Sequence, residues 1–413
     1  AVAFALMRGF SRHESSTIGC FAHDVIRITL WVLLPMCLTY ALFLVSQGVI
    51  QNMSDYLTVT TLAGDSQSIA MGPVASQEAV KLLGTNGGGF FNVNSAHPFE
   101  NPPPLTNFLE ALAIFAIPTG LTYAFGRMVG HQREGWMLWQ VMGALLVLAF
   151  TAFVYTESTG NPLLQAIGAE GLSWEGKDAR FDLGALSLFS TVTTSASCGA
   201  VAVMHDSLMP LSGMVTMVLM QLGEVVFGGV GAGFYGMIVM AVIAVFIASL
   251  MVGRTPEYLG KKITPKEMKL AALTMLTVPF IVLAGTGINL MLPGALESLN
   301  NPGAHGLSEI LYAWTSAANN NGSAFAGLNA NTAFYNIGLA IAMWLGRFIV
   351  IVLTLALAGT LARERHVPCG KGTLDTASHL FAGLLIGVVL LVGALTYLPV
   401  LALGPIAEML SLL

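Results

Sequence analysis

The segment Val74–Phe108 reads "VASQEAVKLLGTNGGGFFNVNSAHPFENPPPLTNF". A short apolar run, Val74–Leu83, ends in a loop of Thr, Asn and Gly, and a long apolar helix follows. Glycine triplets are poor helix and strand formers. A transmembrane helix needs about 20 apolar residues to cross about 30 Å of hydrocarbon, and this run is far shorter. The pattern predicts a half-helix that dips into a membrane and turns back.

Composition supplies the membrane. The chain has 413 residues, of which 55% are hydrophobic and only 9% charged. A soluble domain carries about 25% charged residues, so this chain cannot cover a water-facing surface. The expected fold class is an all-α polytopic membrane protein. Its formal net charge of −5 gives no reason to expect a nucleic-acid partner. Cys20, Cys37, Cys198 and Cys369 are scattered without metal or disulfide spacing. The opening "AVAFALMRGF" starts inside an apolar stretch, so the chain reads as a fragment that lacks its N-terminal part.

Seven stretches are long enough to span: 26–47, 105–125, 136–155, 211–251, 270–292, 334–359 and 380–403. The fourth is about twice the length of one span. It is interrupted by "FGGVGAGFYG" (Phe227–Gly236). Pro35, Pro118 and Pro279 fall inside spans, which membrane helices tolerate. Between the spans the opening pattern recurs. Short runs at Val74–Leu83, Leu183–Val192 and Leu307–Ala318 each precede a loop: Gly84–Gly89, Thr194–Ala200 and Ser316–Phe325. The period of 110 to 125 residues marks an internal repeat of helix, half-helix, loop and helix. Three loops imply a ring of four, the first preceding Ala1. The expected division is 1–24 (tail of a first repeat), 25–130, 131–258 and 259–366 (three repeats), and 367–413 (a last helix).

Charge orients the chain. The linkers 8–27, 127–133, 254–269 and 363–371 hold 13 of the 17 basic residues. The three loop-bearing segments hold 3 basic and 12 acidic residues. The positive-inside rule puts the linkers in the cytoplasm and the loops outside. An acidic outer mouth concentrates cations. A half-helix entering from outside aims its partly negative C-terminal end at the membrane centre. Loop carbonyls, with Thr85, Asn86, Ser197, Asn320 and Asn321, offer neutral oxygens, which suit a monovalent cation that must shed its water and later leave. Carboxylate cages suit Ca²⁺ or Mg²⁺, and no Asp or Glu lies in the three loops. The competing reading is three ordinary turns with glycine serving helix packing.

The stretches "GTNGGGFFNVNSAHPFENPPPLTNF", "TTSASCGAVAVMHDSL", "QLGEVVFGGVGAGFYGM", "GRTPEYLGKKI" and "TSAANNNGSAFAGL" resemble the potassium-transporting ATPase A chain family, the potassium-binding subunits of the bacterial Kdp pump. The resemblance implies four pore-loop repeats of the Trk/Ktr potassium transporter kind. The filter triplets carry over to Thr85-Asn86-Gly87, Ser197-Cys198-Gly199 and Asn320-Asn321-Gly322, with dehydrated K⁺ on their carbonyls. It implies a bacterial inner-membrane location among lipid. It also implies a P-type ATPase catalytic partner (the Kdp B chain) and small membrane partners (the Kdp C and F chains). The alternative is a passive channel or symporter subunit of the Trk/Ktr kind.

Two intramembrane charges stand out. Arg347, in "MWLGRFIVIV", is either a structural charge or a barrier below the filter, the place an arginine takes in related transporters. Glu224, before the break in the fourth stretch, either pairs with Arg347 or faces a water-filled cavity. The break, with Gly228, Gly229, Gly231 and Gly233, resembles a discontinuous transporter helix, and the family implies a gating loop there. Glu110 reads as an N-terminal dipole partner of its helix. The eight histidines show no ligand spacing. The basic stretch Arg254–Lys269 reads as a cytoplasmic topology anchor, or a docking surface for a cytoplasmic domain. No GxxxxGK[ST] or "DKTGT" is present, and "LAGTGI" (Leu283–Ile288) lacks the lysine. A non-catalytic subunit without bound nucleotide is expected.

Overall fold

A computed structural model describes residues 1–169, 171–367 and 374–413. Cys369 and Lys371, read above as a scattered cysteine and a linker charge, lie outside the described residues. The fold is mainly helical. Among the described residues, seven helices are long and apolar enough to cross a membrane. They are Phe21–Ser46, Pro104–Met128, Gln132–Ala166, Ala232–Met251, Pro265–Leu290, Ala333–Arg363 and His379–Leu412. Pro118 and Pro279 sit inside continuous helices, and a π-turn at Thr29–Leu33 precedes Pro35. The small strands form two hairpins, Leu57–Thr60 with Ser66–Ile69 and Glu257–Tyr258 with Lys261–Lys262.

Three shorter helices precede the three loops: Val74–Leu83, Leu183–Ser195 and Gly303–Asn319. At 1.5 Å per residue they are about 15, 20 and 25 Å long, too short to cross. The first matches the sequence reading. The second begins at an Asp182 cap, whose carboxylate accepts the Ala185 N–H at 2.9 Å, and runs three residues past Val192. The third begins one turn earlier than the apolar run, because hydropathy reads Ala304-His305-Gly306 as loop while His305 is held in place there by carboxylates.

The double-length fourth stretch is two helices, Pro210–Gln221 and Ala232–Met251, joined by a loop at 222–231. The second crosses alone and is the most buried of the seven. Gly223, Glu224, Phe227, Gly228 and Gly231 all take positive φ in this loop, which no helix accommodates.

The basic linkers meet on one face. The buried Lys261 ammonium donates to the Arg12 carbonyl at 2.6 Å and the Glu364 carbonyl at 2.8 Å. Arg365 pairs with Glu14 at 2.6 Å, and Thr376 bonds Glu134 at 2.5 Å. Lys261 is thus part of the packing between linkers as well as of the charge pattern. Helix Val2–Ser11 packs there on Ala333–Arg363, where a Cβ on Gly9 would stand 2.8 Å from the Ala358 oxygen. Gly9→Val is expected to destabilise the protein by about 1–3 kcal/mol, the usual effect of overpacking. The check is the melting temperature of detergent-purified protein; unchanged melting would mean this helix is not docked.

Candidate functional site

The half-helices Val74–Leu83 and Gly303–Asn319 end in the same cap. Thr85 and Asn320 take left-handed φ values of 49° and 60°. Their N–H groups bond carbonyls three residues back, Leu82 at 3.2 Å and Ala317 at 3.0 Å. The next N–H groups, of Asn86 and Asn321, reach five residues back to Lys81 and Ser316, both at 2.9 Å. This is a Schellman closure. Gly87 and Gly322 follow with positive φ of their own. The half-helix Leu183–Ser195 closes differently. Ala196 is extended, and the Thr193 hydroxyl lies against the Cys198 and Ala200 carbonyls, the latter at 2.6 Å.

The three loops meet backbone to backbone. A Cβ on Gly87 would collide with the Gly199 backbone. One on Gly199 would stand 2.6 and 2.8 Å from the Gly322 carbonyl carbon and Cα. Glycine is required at both positions by this approach, and at Gly87 by φ as well. Thr85, Ser197, Cys198, Gly199 and Asn321 are buried, whereas Asn86 and Gly322 are exposed. All nine triplet residues therefore belong to three loops that share one centre.

The broken-helix loop is seated against this centre. Ser197 Oγ and Asn321 Nδ2 both donate to the Glu224 carboxylate, the second at 2.9 Å. Asn321 Nδ2 also reaches the Thr193 carbonyl at 3.0 Å. The Val230 N–H donates to Thr85 Oγ1 at 3.1 Å. A Cβ on Gly229 would meet Ser197 Oγ at 2.6 Å, and Gly228 and Gly233 are pressed together. One loop thus touches residues of all three repeats. The loops themselves contain no acid, yet a remote segment brings a carboxylate onto two of them.

Arg347 borders two cavities. A larger one, about 440 Å³, lies between the second-repeat and fourth-repeat loops and is lined by Thr85, Asn86, Asn320, Asn321 and Gly322. A smaller one, about 80 Å³, is shared with Glu224, Tyr235 and Asn320. No Arg347–Glu224 ion pair forms among the described residues; the Glu224 carboxylate is held by Ser197 and Asn321. Gly346 lets the arginine's helix touch the last turn of the fourth-repeat half-helix, since a Cβ there would overlap the Ala318 carbonyl.

Glu110 is not a helix-terminal residue in the sense expected. It is the seventh residue of Pro104–Met128 and fully buried beside Glu78 and Lys81, beyond the first turn where the dipole acts. Sequence reasoning missed two clusters. One is Glu78, Lys81 and Glu100; an acid three residues before the lysine in a half-helix was its only signal. The other joins His305 to Asp206 at 3.1 Å and Glu408 at 2.8 Å, with Glu309 4.0 Å away. These residues come from three distant segments, so spacing could not reveal them.

These features define a class: a polytopic helical membrane protein built on re-entrant half-helices with convergent glycine loops. The chain belongs to the potassium-transporting ATPase A subunit family, whose family model matches residues 1–410. It is 59% identical over 419 residues to the potassium-transporting ATPase potassium-binding subunit of Methylibium petroleiphilum, covering 99% of this chain and 73% of that one. The subunits of the same name from Yersinia enterocolitica and Yersinia pseudotuberculosis are 58% and 57% identical, with the same coverage.

Two expectations follow from the geometry. Gly199→Ala should destabilise the protein by about 1–3 kcal/mol, whereas Gly287→Ala, which faces open space, should be neutral in the same melting assay. Burial alone lowers the His305 pKa, but Asp206 and Glu408 outweigh it and raise the value to about 10. A raised folded-state pKa stabilises most below the unfolded value, about 6.5, and the gain is lost as pH rises through about 10. The melting difference between wild type and His305→Gln should therefore be largest in mild acid and vanish in strong alkali.

Proposed function

We propose that this chain is the potassium-binding, non-catalytic subunit of an ATP-driven K⁺ uptake pump in a bacterial inner membrane, with its glycine loops forming the ion-selective site. The observation that carries this reading is the convergence of three half-helix C-termini on one centre, backbone against backbone. Partly negative helix ends and neutral oxygens there attract a monovalent cation and replace its hydration shell. Thr85-Asn86-Gly87, Ser197-Cys198-Gly199 and Asn320-Asn321-Gly322 supply the carbonyls. The repeats are 25–130, 131–258 and 259–366, flanked by 1–24 and 367–413. The acidic loop segments face outside and the basic linkers the cytoplasm.

Below the filter, Arg347 opposes free passage. Its charge borders both cavities, which supports a barrier role. Glu224 receives the ion, and the loop carrying Gly228, Gly229, Gly231 and Gly233 gates its sideways release. The ion leaves laterally to a P-type ATPase subunit; the smaller cavity, which Glu224 lines together with Val278, Val392 and Tyr397, supports this exit. That partner hydrolyses ATP, and this chain binds no nucleotide. The remaining small subunits and lipid complete the complex.

The test is purification of the tagged full-length gene product in mild detergent without cross-linker. An ATPase should accompany it, and K⁺ but not Na⁺ should stimulate hydrolysis. Gly87→Asp should abolish high-affinity stimulation; an assembled complex with an unchanged K⁺ dependence would remove this loop from the filter. Arg347→Gln should let K⁺ cross proteoliposomes without ATP. Wild-type flux without any ATPase would indicate a passive pore of the Trk/Ktr kind.

A further inference from the structure

The residue four places before each triplet is a tether for its loop. In the third repeat it is Thr193, whose hydroxyl lies against the Cys198 carbonyl and bonds the Ala200 carbonyl at 2.6 Å. In the fourth it is Ser316, whose hydroxyl accepts the Gly322 N–H at 3.0 Å. In the second it is Lys81, which has no hydroxyl to offer. Its ammonium is buried and pairs with Glu78 at 2.6 Å and Glu100 at 3.4 Å. Glu100 in turn accepts the Phe91 N–H at 2.7 Å, on the far side of the glycine run. Ser95 Oγ fills the space between Glu78 and Lys81, at 3.3 and 3.5 Å.

We infer that this buried ion cluster is the tether of the second-repeat loop and sets its K⁺ discrimination, Lys81 and Glu100 acting as positioning residues. The inference rests on the filter reading above. The cluster links the half-helix end to the far side of the loop, the near-side bond itself being the backbone cap bond that Ser316 also makes. On the near side the Lys81 carbonyl accepts the Asn86 N–H at 2.9 Å, and on the far side Glu100 fixes Phe91. Between them Gly87, Gly88 and Gly89 have little of their own to fix the backbone. A direct hydroxyl tether constrains one or two backbone groups, carbonyls for Thr193 and an N–H for Ser316; an ionic one spans the whole run. Burial also matters, because a tether at the surface would be loosened by water and salt, whereas this one is shielded from both.

The pair must be tested in the complete transport complex. Lys81→Met and Glu100→Asp each remove one link, and half-saturating K⁺ for ATPase stimulation should rise about fivefold or more, equivalent to about 1 kcal/mol. Discrimination against Rb⁺ should weaken in parallel, while the maximal rate changes less than the half-saturation value. Removing one partner leaves a buried charge unpaired, which can prevent folding. The triple variant Glu78→Gln/Lys81→Met/Glu100→Gln removes the lysine together with the charge of both carboxylates it pairs with and keeps an acceptor near Phe91; it carries the test if a single variant does not assemble. Lower melting with an unchanged K⁺ curve would make the cluster merely structural and overturn the inference. Gly199→Ala is run alongside. If it shifts the K⁺ curve and the cluster variants do not, the tether fails while the filter reading stands. If none of the variants shifts it, the filter reading fails first.

Discussion

A backbone that enters hydrocarbon must have every polar group answered by protein, water or an ion. The whole arrangement follows from how this chain meets that requirement at three points. Each half-helix satisfies its own amides until the last turn, and then a loop takes over. Two loops close with a left-handed residue and a five-back bond; the third relies on a threonine hydroxyl. The loops then press against each other at Gly87, Gly199 and Gly322, where no Cβ fits between Gly87 and Gly199 or between Gly199 and Gly322. Glycine therefore does two separate jobs: it permits the turn and it permits the contact.

The broken helix uses the same principle at one remove. A span continuous from 211 to 251 would give an unbroken wall beside the centre. Its interruption delivers Glu224 and Val230 to residues of three different repeats instead. Burying a carboxylate is unfavourable unless it is well bonded, and here Ser197 and Asn321 donate to it. In the proposed mechanism these donors couple the selective site to the gate, because the side chains that hold Glu224 belong to two of the triplets. A shift of the loop cannot leave those loops undisturbed.

Much of the fold was legible because membrane solvation imposes long apolar runs and forbids short ones from crossing. The seven spans, the half-helices and the double-length fourth stretch were all visible as run length. The triplets were visible as glycine in a place where glycine is otherwise unfavourable. What remained hidden depends on contacts between distant segments. Glu224 carries no signal that it will bond Ser197, and His305 none that it will lie between Asp206 and Glu408. Lys81 carries no signal in the sequence that Glu100 will lie beside it. Glu110 was misread because its position near a helix start outweighed its buried surroundings.

The Lys261 ammonium bonds carbonyls at positions 12 and 364, one far before it in sequence and one far after. That knot cannot be tied while the ribosome is still making the middle of the protein. Helix Val2–Ser11 likewise has no final seat until Ala333–Arg363 exists. The early segments must wait in the bilayer as a half-built assembly, each helix satisfied internally but not yet docked. Contacts of such long range are slow to form. Quality control in the membrane would have its longest opportunity to act on this chain before Ala333–Arg363 has emerged.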